Sequence, residues 1–260
     1  MKTIVTTDRK CHSDSVALAG EMAAKLNIEL IDRNQQSVAG MMRRYEAQAV
    51  LVAKGKELHL YTAEGELFFH PNMSQLRVKN IRLGDKDHMA EAMELKEGMS
   101  VLDCTLGFGA DAIVASFVVG ESGRVTGIEA SPLIAAVTGD GLQNFLASNY
   151  ELHAAMRRIE VHNSDALDFL RQQADKSYDV VYFDPMFRHP LRSSTNINPL
   201  RSVADARALT VEAVTEAKRV ARRRVVMKEA RGSAEFARLG FAKIAGGKWS
   251  KINFGIISVE

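Results

Sequence analysis

The sequence predicts an α/β protein: an open, mostly parallel sheet that ends in an antiparallel hairpin, preceded by a small α+β lobe. Three observations carry this. From about residue 86 onward, apolar runs of strand length alternate with longer helical stretches, as βαβ units require. One run, Val101 to Cys104, stops at Thr105-Leu106-Gly107-Phe108-Gly109 and restarts as an apolar helix, Ala112 to Val119. The last two runs, Phe241 to Ile244 and Ile252 to Val259, flank Gly246-Gly247 and pair as the closing hairpin. A chain of 260 residues with 46% hydrophobic content can bury one full α/β domain and a small companion. The expected division is 1–85 for the lobe and 86–260 for the larger domain.

The lobe opens with a strand, Thr3 to Thr7, and an amphipathic helix capped near Ser13 that carries Ala19, Met22, Ala23 and Leu26 on one face. Strands Ala49 to Ala53, Leu58 to Tyr61 and Leu67 to Phe69 follow, separated by hairpin turns at Lys54-Gly55-Lys56 and Ala63-Glu64-Gly65. Between Leu76 and Leu83, Arg77, Lys79 and Arg82 alternate with apolar residues, so their side chains are expected to share one face, either solvated or meeting RNA phosphates. In the larger domain, Asp87 begins a helix. Strands are expected at Arg124 to Ile128, Ile159 to His162, Tyr178 to Phe183 and Val225 to Lys228, with helices Ala166 to Gln173 and Val203 to Ala221 between them. The later helix should turn Val211, Val214 and Val220 to the core. Residues 188–201, with two prolines and three arginines, have the composition of a loop.

Composition narrows the function. A net charge of +2 argues against a dedicated high-affinity nucleic-acid module, so any such contact falls to local basic patches. Two cysteines, Cys11 and Cys104, form neither a disulfide framework nor a metal spacing, and the seven histidines are scattered. No metal site is expected. No apolar stretch is long enough to span a bilayer, and the amino terminus lacks a signal-peptide pattern, which points to the cytoplasm.

The chemistry gathers at strand ends. Glycines at 107 and 109 let the backbone approach a ligand and aim a helix amino terminus at it. Gly107-x-Gly109-x-x-Ala112 also fits a dinucleotide fingerprint, but Asp103 and Thr105 put a carboxylate and a hydroxyl where pyrophosphate would sit. S-adenosylmethionine (SAM), with a sulfonium and an ammonium but no phosphate, suits that charge. Glu129, at the end of the next strand, can accept bonds from two ribose hydroxyls. Asp165 either contacts the adenine edge or caps the following helix, or does both.

The buried run Tyr178 to Phe183 delivers Asp184-Pro185-Met186-Phe187 to the carboxyl edge of the sheet. The amine of a nucleobase is a poor nucleophile because its lone pair is delocalised into the ring. A carboxylate and a carbonyl accepting its two N–H bonds favour a pyramidal nitrogen. Pro185 fixes the turn, and Phe187 offers a face for stacking, worth roughly 1 to 3 kcal/mol. The same four residues also suit a plain Asp-Pro turn. Arg188, His189, Arg192 and Arg201 follow in the loop, where they can hold phosphates.

Together these motifs resemble a class I SAM-dependent methyltransferase, most nearly the RsmJ-type family that methylates guanine N2 in small-subunit ribosomal RNA. The pattern Asp-x-Thr-x-Gly-x-Gly-x-Asp-Ala falls on Asp103, Thr105, Gly107, Gly109, Asp111 and Ala112, and Glu129 precedes a turn with Pro132. Asp140-Gly141-Leu142, Asp-Pro-Met-Phe at 184–187 and Val225-Val226-x-Lys228 complete the string. The resemblance implies a Rossmann-like sheet, SAM as cofactor with Asp111 in its site, Lys228 at the substrate, and as partner an RNA, either small-subunit ribosomal RNA or an assembling particle. The chain departs from the family at the acidic segment Leu83 to Asp87, at Gly139, and at Asp165 where close relatives can carry Ser. Adenine N6 or a protein amide are alternative acceptors. A nicotinamide oxidoreductase and a silent RNA-binding subunit are alternatives of another class.

Overall fold

Two sheets account for the strand signals. The computed structural model describes residues 1–147, 149–185 and 202–259. They fall into two compact units: Met1–His70 and Ser131–Leu146 with the described part of Arg192–Ala204, and Pro71–Ala130 with the described parts of Ala147–Leu191 and Asp205–Glu260. By this grouping residues 71–85 belong with the second unit and helix 132–144 with the first, which differs from a single boundary at residue 85.

The first unit holds β1 (Thr3–Thr7), β2 (Glu29–Leu30), β3 (Ala49–Lys54), β4 (Glu57–Thr62) and β5 (Gly65–Phe68), in the order β2-β1-β3-β4-β5. β1 is parallel to β2 and β3, and β3, β4 and β5 form an antiparallel meander. Alternation along each strand sorts the side chains. Ile4, Val50 and Val52 pack with Met41 of helix α2 (Val38–Tyr45), while the opposite row, Val5, Leu51, Leu60 and Leu67, is equally buried. Helix α1 (Ser13–Leu26) lies against β1 and β3, burying Ser15, Ala19 and Met22. Its N-cap is His12 rather than Ser13, and no side chain caps it. A third helix of this unit, 132–144, packs on β4; there Gly141 gives Phe69 room that a Cβ would fill.

In the second unit, residues 76–82 are helical. They belong to α3 (Asn72–Arg82). At 100° per residue Lys79 and Arg82 lie on one side of the helix while Arg77 points away from both, so the expected face common to all three does not form. Helix α4 (His88–Met93) is capped by Asp87, whose carboxylate accepts from the amides of Met89 and Ala90 at 3.1 and 3.0 Å.

The sheet follows: β6 (Ser100–Asp103), α5 (Ala110–Val119), β7 (Arg124–Glu129), the first unit's helix α6 (Pro132–Asn144), α7 (Tyr150–Arg157), β8 (Ile159–Asn163), α8 (Ala166–Gln172), β9 (Tyr178–Phe183), α9 (Val211–Val220), β10 (Ala221–Ala230), α10 (Glu235–Arg238), β11 (Lys243–Ala245) and β12 (Ile252–Ser258). The order β11-β12-β10-β9-β6-β7-β8 is parallel from β10 to β8, with β12 antiparallel to both β10 and β11. This is the expected sheet with its closing hairpin. Leu102, Val181, Phe183, Val225 and Met227 are fully buried in its core, which also takes Phe236 and Phe241.

Helix α9 is shorter than the predicted 203–221, because residues 205–209 are not helical and Thr210 supplies the cap. Val214 and Val220 reach the core as expected, but Val211 is 56% exposed.

Candidate active site

Parallel strands β6, β7 and β9 end side by side, and the loop after β6 is tied to both neighbours. Cys104 donates to the Tyr182 carbonyl at 2.9 Å, Leu106 to the Ile128 carbonyl at 2.9 Å, and Gly107 to Glu129 Oε2 at 3.0 Å. The turn requires left-handed backbone at Gly107 (φ 53) and Gly109 (φ 74), the latter being the N-cap of α5. A Cβ at Gly107 would meet nothing within 4 Å, so the loop leaves open space on that side.

Carboxylates line these strand ends. Asp103, only 2% exposed, accepts from the Thr105 amide at 3.0 Å, and burial pushes its pKa up to about 8. Its charge is therefore suppressed near neutral pH until a cation comes close. Glu129 is also buried. Asp165 caps α8, accepting from Leu167 and Asp168 at 2.8 and 3.2 Å, and its second oxygen pairs with Arg207 at 2.6 Å. The capping role of Asp165 is thus present.

Asp184 follows β9, half-buried, with its amide donating to Thr105 Oγ1 at 2.5 Å. Its carboxylate meets Lys228 Nζ of β10 at 2.8 Å, and the same ammonium reaches Asp111 Oδ2 at 2.9 Å. Asp111 sits in the first turn of α5 and also accepts from the Tyr182 hydroxyl at 2.7 Å and pairs with Arg77. Arg77 in turn forks onto Asp87, with Nε–Oδ2 at 2.7 Å and Nη2–Oδ1 at 2.8 Å. Burial raises the Asp184 pKa to about 6; Lys228 works against that rise and Asp111 adds to it. Asp111 goes the other way. Burial raises it, but Lys228 and Arg77 outweigh that and keep it firmly ionised. Burial disfavours the Lys228 ammonium, yet Asp111 and Asp184 together raise its pKa.

The expected residues therefore divide. Asp103, Thr105, Gly107, Gly109 and Glu129 meet at the loop, and Asp184 and Pro185 lie at the next strand end. Asp111 and Lys228, expected at the cofactor and the substrate, bond to each other, with Lys228 bridging to Asp184. Phe187, Arg188, His189, Arg192 and Arg201 lie outside the described residues, as does the loop 188–201. Arg77 and Tyr182 carry no signal in the sequence that predicts their place in this network. Among the described residues no group of His, Cys, Asp and Glu could hold a metal ion, and no helix is long and apolar enough to cross a membrane.

With Asp103 protonated, the charged groups of the network are Asp87, Asp111 and Asp184 against Arg77 and Lys228. One negative charge is in excess, and Glu129 adds to it. That donor set, beside an open glycine turn, fits a cofactor with net positive charge and no phosphate.

Comparison with known proteins agrees. The family described as "Putative SAM-dependent methyltransferase" matches residues 33–247. A Bacillus subtilis protein described as uncharacterized, YpiP, is 39% identical over 258 residues, covering 99% of this chain and all of that one. Proteins named ribosomal RNA small subunit methyltransferase J match over shorter spans. The one from Alteromonas mediterranea is 27% identical across 70% of this chain and 67% of its own length, and the one from Pseudoalteromonas atlantica is 36% identical across 58% and 60%. Among solved structures, a SAM-dependent methyltransferase from Neisseria gonorrhoeae superposes with a TM-score of 0.67 at 20% identity, covering 98% of this chain and 95% of that one. It shares the fold.

Proposed function

The chain belongs to the SAM-dependent methyltransferase family, and from that premise we propose that it methylates an exocyclic amine of small-subunit ribosomal RNA, with guanine N2 as the acceptor. SAM is the cofactor, which sets aside the nicotinamide alternative. The observation that carries the proposal is the Asp184 carboxylate followed by Pro185 at a strand end, held by Lys228 and Thr105 beside the glycine turn. The ribosomal RNA methyltransferases among its relatives support the choice of substrate.

Bound SAM supplies an electrophilic methyl group. Everything else falls to the chain. Asp103, Thr105, Gly107, Gly109, Glu129 and Asp165 would hold the cofactor, and Asp103, its pKa raised by burial, would be drawn towards its charged form by a cation bound beside it. Asp184 accepts an N–H bond of the base amine, localising the nitrogen lone pair, and Pro185 removes a competing backbone donor. When the nitrogen bonds to the methyl carbon and the carbon–sulfur bond breaks, positive charge moves onto the amine. A carboxylate with a pKa near 6 stabilises that charge and is basic enough to take the departing proton. Lys228 is a positioning residue that keeps Asp184 ionised and pointed at the amine, while Asp111, Arg77 and Tyr182 fix Lys228. Phe187 stacks the base, and Arg188, His189 and Arg192 hold its phosphates. The reaction takes place in the cytoplasm, where ribosomal subunits assemble.

Small ribosomal subunits from cells lacking this protein, incubated with it and with SAM labelled at the methyl group, test the acceptor class. Label is expected in the RNA fraction. Label confined to ribosomal proteins would favour the amide alternative and contradict the proposal.

A further inference from the structure

The first unit carries buried polar groups that methyl transfer does not use. β1, β2 and β3 run parallel, so their carboxyl ends share the edge at which α/β sheets bind ligands. At that edge Thr6 Oγ1, Arg33 Nε and Arg33 Nη1 are buried with no hydrogen-bond partner among the described residues. Arg33 is 7% exposed. Burial first, then the charge of Arg9, lowers its pKa, while Tyr61, Asp8 and Cys11 act in the opposite sense. The charged and titratable groups around the guanidinium are thus Asp8, Arg9 and Cys11 of the β1–α1 loop, 8–12, and Tyr61 of β4. Helix α1, fourteen residues long, begins at that loop without a side-chain cap, and Arg9 and Lys10 are exposed on it. The Asp8 carboxylate is already engaged by the Cys11 amide at 2.9 Å.

A buried guanidinium with two unpartnered nitrogens costs stability, and such groups in native proteins commonly mark a ligand. Phosphate oxygens match the guanidinium fork and also suit an uncapped helix amino terminus. Strand register adds a second feature. Thr6, Val52, His59 and Phe68 form one cross-strand row, and Phe68, 48% exposed, stacks on His59 with ring centroids 5.2 Å apart. Phe68 lies three strands from Thr6, about 14 Å at ~4.8 Å per strand, so a base further along the same chain can stack on that ring.

We propose that this edge of the first unit is a phosphate site, with Arg33 and Arg9 closing on the oxygens and the first turn of α1 facing them, and that the phosphate belongs to an RNA chain. Its assignment to RNA rests on the acceptor proposed above; the phosphate site itself rests on the unpaired Arg33.

The test uses the full chain with Arg33→Met, which removes the unpaired donors, and Arg9→Gln, which alters only an exposed side chain. Thermal unfolding is followed in potassium phosphate and in potassium chloride at matched ionic strength. The native protein should gain a higher midpoint in phosphate. Arg33→Met should start from an equal or higher midpoint in chloride and lose the phosphate gain, and Arg9→Gln should reduce it. In parallel, binding of a fluorescent single-stranded RNA should weaken by about five- to tenfold in Arg33→Met with a shallower salt dependence, while SAM affinity stays unchanged. No phosphate gain in the native protein, or the same gain in Arg33→Met, overturns the site. A gain that Arg33→Met removes while RNA affinity is unchanged overturns RNA as the source and points to a free phosphate ester. Because the phosphate arm involves no methyl transfer, its result is independent of whether the acceptor proposal holds.

Discussion

Asp184→Ala is expected to lower kcat for methyl transfer by about 10²- to 10³-fold while SAM affinity stays within about twofold. The carboxylate is the group proposed to touch the amine, and it stands beyond the loop that forms the cofactor side, joined to it through the Thr105 hydroxyl at the Asp184 amide. That amide survives the substitution. Loss of the side chain removes the acceptor of the N–H bond and the base for the departing proton in one step. Asp184→Asn separates the two roles: it keeps an acceptor oxygen but neither charge nor basicity, so activity should fall less, and the acid limb of the pH profile should vanish. Native kcat/KM should drop as pH falls through about 6, where Asp184 becomes protonated. Stopped turnover with equal loss of SAM binding would instead mean that Asp184 serves the cofactor.

Lys228→Met is expected to move that acid limb to higher pH and to destabilise the fold. Burial raises the Asp184 pKa, and Lys228 is the first group that opposes it, so without the ammonium Asp184 protonates more readily and activity is lost at higher pH. Asp111 loses one of the two cations that keep it ionised despite burial, leaving Arg77. Removing one partner of a buried ion pair costs about 3 kcal/mol. The pH dependence has a definite sign. The native pairing of Lys228 with Asp184 is complete above pH 6 and is lost as pH falls through 6, so the stability gap between native and variant should be widest near pH 8 and narrow below 6. Urea unfolding at several pH values measures the gap, and a limb that stays at 6 would remove Lys228 from the account.

The sequence disclosed whatever is encoded locally. Gly107 and Gly109 announce a turn by themselves, and the buried run before Asp184 announces a central strand. Glu129 and Asp165 could be placed because each ends a short apolar run. What stayed hidden was non-local. Arg77 reaches Asp111 across 34 positions and Lys228 reaches it across 117, and neither spacing leaves a periodic trace. Alternation between 76 and 83 suggested one shared basic face, whereas Val78 alone of those residues is buried and the segment is helical up to Arg82. Apolar residues at 203–209 likewise suggested an early start for α9, until the Thr210 cap fixed it later. The grouping of residues 131–146 with the first unit depends on packing against β4 and on Phe69, just after β5, beside Gly141, which no local pattern encodes. Arg33 gave no warning in the sequence, because only the fold shows that its Nε and Nη1 are buried without a partner among the described residues.

The most direct test of the account is the chemical identity of the methylated nucleoside. Small-subunit ribosomal RNA from cells with and without this protein would be digested to nucleosides and compared by mass spectrometry, with the purified protein and SAM added back to the deficient subunits. N2-methylguanosine is expected to fall by one residue per subunit in the deficient cells and to return on incubation. An unchanged content of N2-methylguanosine, or the loss and return of N6-methyladenosine in its place, would contradict it.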